Sequence, residues 1–158
     1  MVRSRVIGLG NGTALMLLCW LVLGGCSAQG TRFSALPALG QDEALIVVYR
    51  PSAFARSGTW PDIYVDGQKR GELKNGGYLF LRVPPAGHLV EVKGPVMRWD
   101  IRAEPLSCKP EVCAGETVFI RLLTTSDRYP LAVQITTALG LVNREVALRE
   151  LSSLCESQ

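Results

Sequence analysis

Apolar positions in this chain fall into three regimes: an unbroken run near the start, a short stretch with little pattern, and a long section where they recur at every second residue. Period two marks strands, because successive side chains point to opposite faces of a sheet. Ala44-Leu45-Ile46-Val47-Val48-Tyr49 is rich in β-branched and aromatic residues and stops at Arg50-Pro51. It predicts a central strand ended by a residue that cannot donate to a ladder. Asp62-Ile63-Tyr64-Val65 followed by Asp66-Gly67 predicts a tight hairpin whose return arm is residues 68–73. Asn75-Gly76-Gly77 turns the chain into residues 78–83, and Pro84-Pro85-Ala86-Gly87 into residues 88–92. The strictest alternation, residues 97–103, is apolar at every odd position and charged at every even one. Residues 116–124 and 131–137 complete the predicted strands.

Turn signals recur every ~8 to 12 residues through this section, the spacing of a sandwich rather than of a parallel sheet with crossover helices. The expected fold class is all-β: a single antiparallel β-sandwich of about seven to eight strands with one short C-terminal α-helix. For that helix Asn143 supplies a cap, Glu145 and Arg149 form an i,i+4 pair, and Ala147, Leu148, Leu151, Leu154 and Cys155 gather on one side.

The unbroken run, residues 14–23, follows Arg3 and Arg5 and is about half the ~20 residues a bilayer-crossing helix needs. That length suits the apolar core of a signal peptide. The run closes on Leu23-Gly24-Gly25-Cys26, which reads as a lipobox. The Cys26 thiol can carry a diacylglyceryl thioether, and two small residues let a peptidase draw in the backbone and cut between Gly25 and Cys26. An uncleaved anchor helix is the competing reading, but it must take in Gly8, Gly10, Asn11 and Gly12. The expected organisation is a signal peptide over residues 1–25, a lipidated Cys26 with a flexible tether over residues 26–41, and a β-sandwich domain with its helix over residues 42–158. Ser27 is not the aspartate that retains lipoproteins in an inner membrane, so the expected place is the outer membrane, facing the periplasm.

The whole chain carries a formal net charge of +3, but without residues 1–25 fifteen basic residues face fourteen acidic ones. Interspersed, nearly balanced signs give no footprint for nucleic acid, which is dropped as a partner. Of five cysteines, Cys19 leaves with the signal and Cys26 is the lipid site. Lys109-Pro110-Glu111-Val112 reads as a turn that lets Cys108 and Cys113 meet, so that pair is the disulfide candidate. A bond from either to Cys155, or a redox role for the three, is the alternative. His88 is the only histidine and zinc-knuckle spacing is absent, so no metal and no other cofactor is expected.

Catalytic signals are equally sparse. No G-x-S-x-G elbow precedes a serine, and Asp62 and Asp66 are ordinary occupants of a strand start and a turn. Tyr49, Tyr64, Tyr78, Trp60 and Trp99 would make a binding platform only if several shared an exposed face. Residues 50–60 form the longest non-periodic segment, and Arg50, Phe54, Arg56 and Trp60 within it are the binding candidates, suited to a carboxylate-bearing partner.

The blocks Ala44 to Ser52, Ile63-Tyr64-Val65-Asp66-Gly67, Gly71-Glu72-Leu73, Gly76-Gly77-Tyr78 and Pro84-Pro85-Ala86-Gly87-His88 together resemble a family of bacterial lipoproteins that carry a small all-β domain of unknown function. The same elements are similar to surface-layer PEGA domains, which have a prealbumin-like sandwich fold. The resemblance implies a secreted, lipid-anchored β fold with no established catalytic residues. The expectation is a non-enzymatic envelope lipoprotein that touches the membrane through its lipid and binds an envelope protein or a peptidoglycan component. A small envelope hydrolase or cell-wall glycan-processing enzyme is the alternative from another class.

Overall fold

A computed structural model describes residues 27–94, 106–130 and 132–157. Gly25, Cys26, Trp99 and the alternating stretch 97–103 lie outside the described residues. The first strand, Ala44–Arg50 (β1), is buried at all seven positions because both of its faces are covered. Ten more strands follow: Asp62–Val65 (β2), Gln68–Glu72 (β3), Gly77–Val83 (β4), Ala86–Gly87 (β5), Val90–Lys93 (β6), Leu106–Cys108 (β7), Glu111–Val112 (β8), Thr117–Tyr129 (β9), Ala132–Val142 (β10) and Cys155–Glu156 (β11). The one described helix, Arg144–Leu151 (α1), lies between β10 and β11.

Strand parity assigns each side chain to a layer. A five-stranded sheet runs in the order β10-β9-β1-β4-β11, and a four-stranded one in the order β3-β2-β6-β7. Between them Ala44, Ile46 and Val48 of β1 meet Ile63, Val65, Leu79, Leu81, Val90, Val92, Ile120 and Leu122. On the other face Leu45, Val47, Tyr49, Tyr78 and Phe119 pack with Ala147, Leu151 and Leu154. Each fully buried aliphatic side chain here contributes ~1.5 to 3 kcal/mol.

The chain is mostly β with one short helix, and its pairing is not purely antiparallel. β1 pairs β4 antiparallel but β9 parallel, and β4 pairs β11 parallel. Eleven strands in three sheets replace the expected seven to eight of one antiparallel sandwich among the described residues. The long passage from β1 to β9 supplies the crossover that a parallel neighbour requires, and local alternation carries no sign of it.

The Asp66-Gly67 turn forms as expected, with φ of 51° and 79°. Asn143 caps α1 by accepting a 2.9 Å hydrogen bond from the Val146 N–H. The helix ends at Leu151, so Cys155 belongs to β11 rather than to its apolar side.

Two expectations are corrected. The segment taken as a flexible tether lies on the fold from Ser27 onward: the Ala28 N–H donates to Asn75 O at 3.0 Å, that of Gly30 to Glu156 O at 3.1 Å and that of Phe33 to Leu154 O at 3.0 Å. Phe33, Leu36 and Leu39 cover the part of the second core that the short helix leaves open. The second correction concerns Cys108 and Cys113, which with Cys155 are free thiols. Val90 faces Cys108, Gly87 faces Glu111, and between them the His88 N–H donates to Pro110 O at 3.0 Å, so the register runs through without a slip. Lys109-Pro110-Glu111-Val112 is therefore extended, not a turn. Five extended steps along the chain put the two cysteines ~16 Å apart, against the ~4 to 7 Å between Cα atoms that a bridge needs.

Candidate functional site

Several elements converge at one pole of the fold. β1 ends there at Arg50, opposite the first residue of β4, Gly77. β9 runs parallel to β1, faces Tyr49 with Arg121, and continues past it. Ser27 bridges to Asn75, just before β4, at the same pole. Residues 51–61 cross it as a loop, the segment marked out by its lack of periodicity.

Arg50 organises that loop from beneath. Its side chain points into the space between the two sheets, and the residue is only 2% exposed. Its Nη1 donates to Thr59 O at 2.7 Å and its Nη2 to Arg56 O at 2.6 Å. The Arg56 carbonyl also accepts from the Thr59 N–H at 3.1 Å and the Thr59 hydroxyl at 2.8 Å. This triple use goes with a φ of 58° at Arg56, a left-handed conformation that costs a non-glycine residue about 1 kcal/mol or more. Burial disfavours the Arg50 charge and Arg56 opposes it further, so its pKa is lowered. Its Nε has no acceptor among the described residues, and a cavity of about 20 Å³ lined by Arg50, Arg56, Thr59, Thr124 and Thr137 lies at this place.

Of the four binding candidates, the structure thus withdraws Arg50 from the surface and makes it the loop's internal support. Arg56 is half-buried. Phe54 and Trp60 do reach solvent, at 98% and 39% exposure, and Lys74 Nζ lies 5.5 Å from the Trp60 ring centre. Asn75, which the sequence marked only as a turn former, ties the loop to the rest: its Oδ1 accepts from the Ala53 N–H at 2.9 Å while its carbonyl accepts from Ala28. Gly76 beside it has a φ of 67° and lies against Ser52 Oγ, so a side chain there would be strained by its backbone and would displace the serine hydroxyl.

Beyond Thr124 the β9–β10 hairpin leaves the body as a two-stranded ribbon. Residues 125–129 and 132–136 are all exposed, including Tyr129, Val133 and Ile135. The sequence predicted both strands but not this projection, because alternation looks the same whether or not a second layer covers it.

The remaining candidates are spread through the fold. Tyr49 and Tyr78 are buried, while Tyr64 lies under Lys93 at 4.5 Å, so these aromatics form no shared platform. The Tyr49 hydroxyl donates to Glu150 Oε2 at 2.6 Å, and Arg121 Nη1 donates to Glu150 Oε1 at 2.7 Å, fastening α1 to the sheet. Burial and then Glu150 push the Tyr49 pKa up, which keeps its proton in place. Asp62 pairs with Lys69 at 2.8 Å, and burial raises the pKa of the Cys108 thiol. Among the described residues no group of three His, Cys, Asp or Glu side chains is placed to hold a metal ion.

His88 sits at the opposite pole, buried, with Nδ1 2.6 Å from Asp66 Oδ2 and Nε2 2.9 Å from Pro84 O. A carboxylate and a carbonyl only accept, so the site favours the imidazolium form, in which both ring nitrogens donate. Burial opposes that charge, but Asp66 and Pro84 outweigh it and raise the pKa. The hydrogen bond from His88 and another from the Leu89 N–H lower that of Asp66.

A family described as a protein of unknown function, DUF2846, matches residues 40–134, which run from just before β1 into β10. No curated protein matches the chain.

Proposed function

The chain belongs to the DUF2846 family of proteins of unknown function, and from that footing we propose that it is a lipid-anchored envelope lipoprotein acting as a non-enzymatic binding or structural module. Cleavage before Cys26 and acylation of its thiol attach it to the outer membrane, with the β-rich body facing the periplasm. Its partner there is an envelope protein or a peptidoglycan component. The two packed sheets are read as a variant of the prealbumin-like sandwich, with α1 and the N-terminal segment added on the outer face.

The observation that carries the binding or structural reading is the loop of residues 51–61, a displayed contact surface whether it meets the partner or the bilayer itself. It displays Phe54 and Trp60 yet is fixed from within by Arg50, and an exposed aromatic on a held loop is poised for contact at little ordering cost. His88 supports the non-enzymatic half: both its ring nitrogens are engaged, which leaves neither to serve as a general base. Replacing Cys26 with alanine is expected to abolish processing and lipid attachment. A variant that is still processed, or that is still recovered in the outer-membrane fraction, would refute the anchoring. For the alternative hydrolase, loss of muropeptide turnover in His88→Ala would overturn the binding-module reading.

A further inference from the structure

The position of Ser27 bears on how the anchor meets the body. Ser27 is bridged to Asn75, and Ala28 is hydrogen-bonded to the same residue. A residue reaches ~3.6 Å at most, so a lipid on Cys26 emerges directly at this pole and not at the end of a leash. Among the described residues the same pole carries five of the six exposed large hydrophobic side chains: Phe54, Trp60, Tyr129, Val133 and Ile135, with Leu141 the exception. Apolar side chains scattered singly over a surface need no cause, but their concentration around an attachment point does.

We infer that this pole is a membrane-contact face, with Phe54, Trp60 and the β9–β10 ribbon resting in the headgroup layer of the bilayer that holds the lipid at Cys26. The inference rests on the lipidation proposed above. The chemistry suits that layer: aromatic rings favour the boundary between headgroups and acyl chains, and Lys74 beside Trp60, with Arg128 on the ribbon, offers cations to lipid phosphates. Reach also suits it, since five residues beyond Thr124 extend ~16 Å from the body. The ribbon lies within the headgroups and does not cross the acyl core, because Asp127 and Arg128 are charged and the outer edge of β10 has no strand partner near its tip among the described residues. The opposite pole, where Pro85, Ala86, Glu111 and Val112 line a shallow depression, then faces away from the bilayer and is left for a soluble partner.

The test uses the full chain, made in cells with a photo-crosslinking benzoylphenylalanine at position 54, at position 133 or, as a remote exposed control, at position 111. After irradiation of intact membranes, lipid adducts are expected at positions 54 and 133 at ~tenfold or more the yield at position 111. Equal yields at all three positions, or protein adducts in place of lipid at 54 and 133, overturn the inference. The mass of the N-terminal peptide is read in the same samples. An acylated Cys26 without lipid adducts at 54 and 133 refutes the contact face and leaves the anchor standing, whereas retention of residues 1–25 refutes both.

Discussion

The two poles of this fold are held together by different means. At the Ser27 pole the loop is supported from inside by one buried arginine that donates to backbone carbonyls, and the outer surface displays Phe54, Trp60, Tyr129, Val133 and Ile135 among polar neighbours. At the opposite pole the turns are closed by charge: Asp66 against His88, and Arg82 against Glu43 with a further 2.9 Å donation to Ala38 O. Burial of a charge is costly unless it is hydrogen-bonded, and among the described residues the groups that receive the Arg50 guanidinium are loop carbonyls rather than a carboxylate. At the charge-closed pole every ionic group named has its partner.

Removing the internal support should have the largest effect. Arg50→Ala is expected to cost about 2 to 4 kcal/mol, from the lost stem volume and from two loop carbonyls left without their donor. Urea unfolding should show it as a lower midpoint at unchanged slope. Arg50→Met keeps the stem and removes the charge, so it should recover more than half of that loss. If both variants fell equally, packing would not be part of the support.

Asn75→Ala comes next, at about 1 to 2 kcal/mol, because the Ala53 N–H loses its acceptor in a part-buried place. Hydrogen exchange should quicken at Ala53 and leave the turn at Asp66-Gly67 unchanged. Uniform acceleration would show that the two poles are not independent.

At the charge-closed pole pH is the lever, and the sign follows from the direction of each shift. The pKa of His88 is raised, so its contribution is complete below about 6.5, the ordinary histidine value, and is lost as pH rises through the higher folded value. The pKa of Asp66 is lowered, so its contribution is present above the ordinary carboxylate range and lost as pH falls through the depressed folded value. A series of unfolding curves should show stability declining on the alkaline side, and His88→Gln should flatten that decline. An unchanged slope in the variant would remove His88 as the cause. Smallest of all, Phe54→Ser and Val133→Ser should leave stability within ~0.5 kcal/mol of the original, since both side chains are already in solvent. A larger loss would mean that the apolar pole is structural after all.

Much of the β architecture was legible because alternation and turn chemistry are local. Residues 44–49, the Asp66-Gly67 hairpin and the Asn143 cap each announce themselves within a few positions, since backbone sterics and capping act over that range. Local reading failed where a short segment had two permitted conformations. Residues 109–112 have turn-like composition, yet pairing with residues 86–90 holds them extended and keeps Cys108 from Cys113. Residues 27–41 look like a linker, yet Phe33, Leu36 and Leu39 find an uncovered core face to bury against. The lack of periodicity in residues 50–60 marks the loop to within one residue, but Arg50 belongs to β1, and only the neighbouring sheet turns its side chain inward, away from the surface contact that its place beside Phe54 suggests.

By itself the sequence determined the β-rich class, the strand faces and the short helix, all of them consequences of side-chain spacing over less than a dozen residues. Tertiary structure alone decided the parallel pairing of β1 with β9, the closure of His88 on Asp66, and the gathering of Ser27, Phe54, Trp60 and the ribbon at one pole. The reason is distance along the chain. Those arrangements join residues separated by tens of positions, and contacts of that range are fixed by which buried surfaces cover one another rather than by any pattern a short window contains.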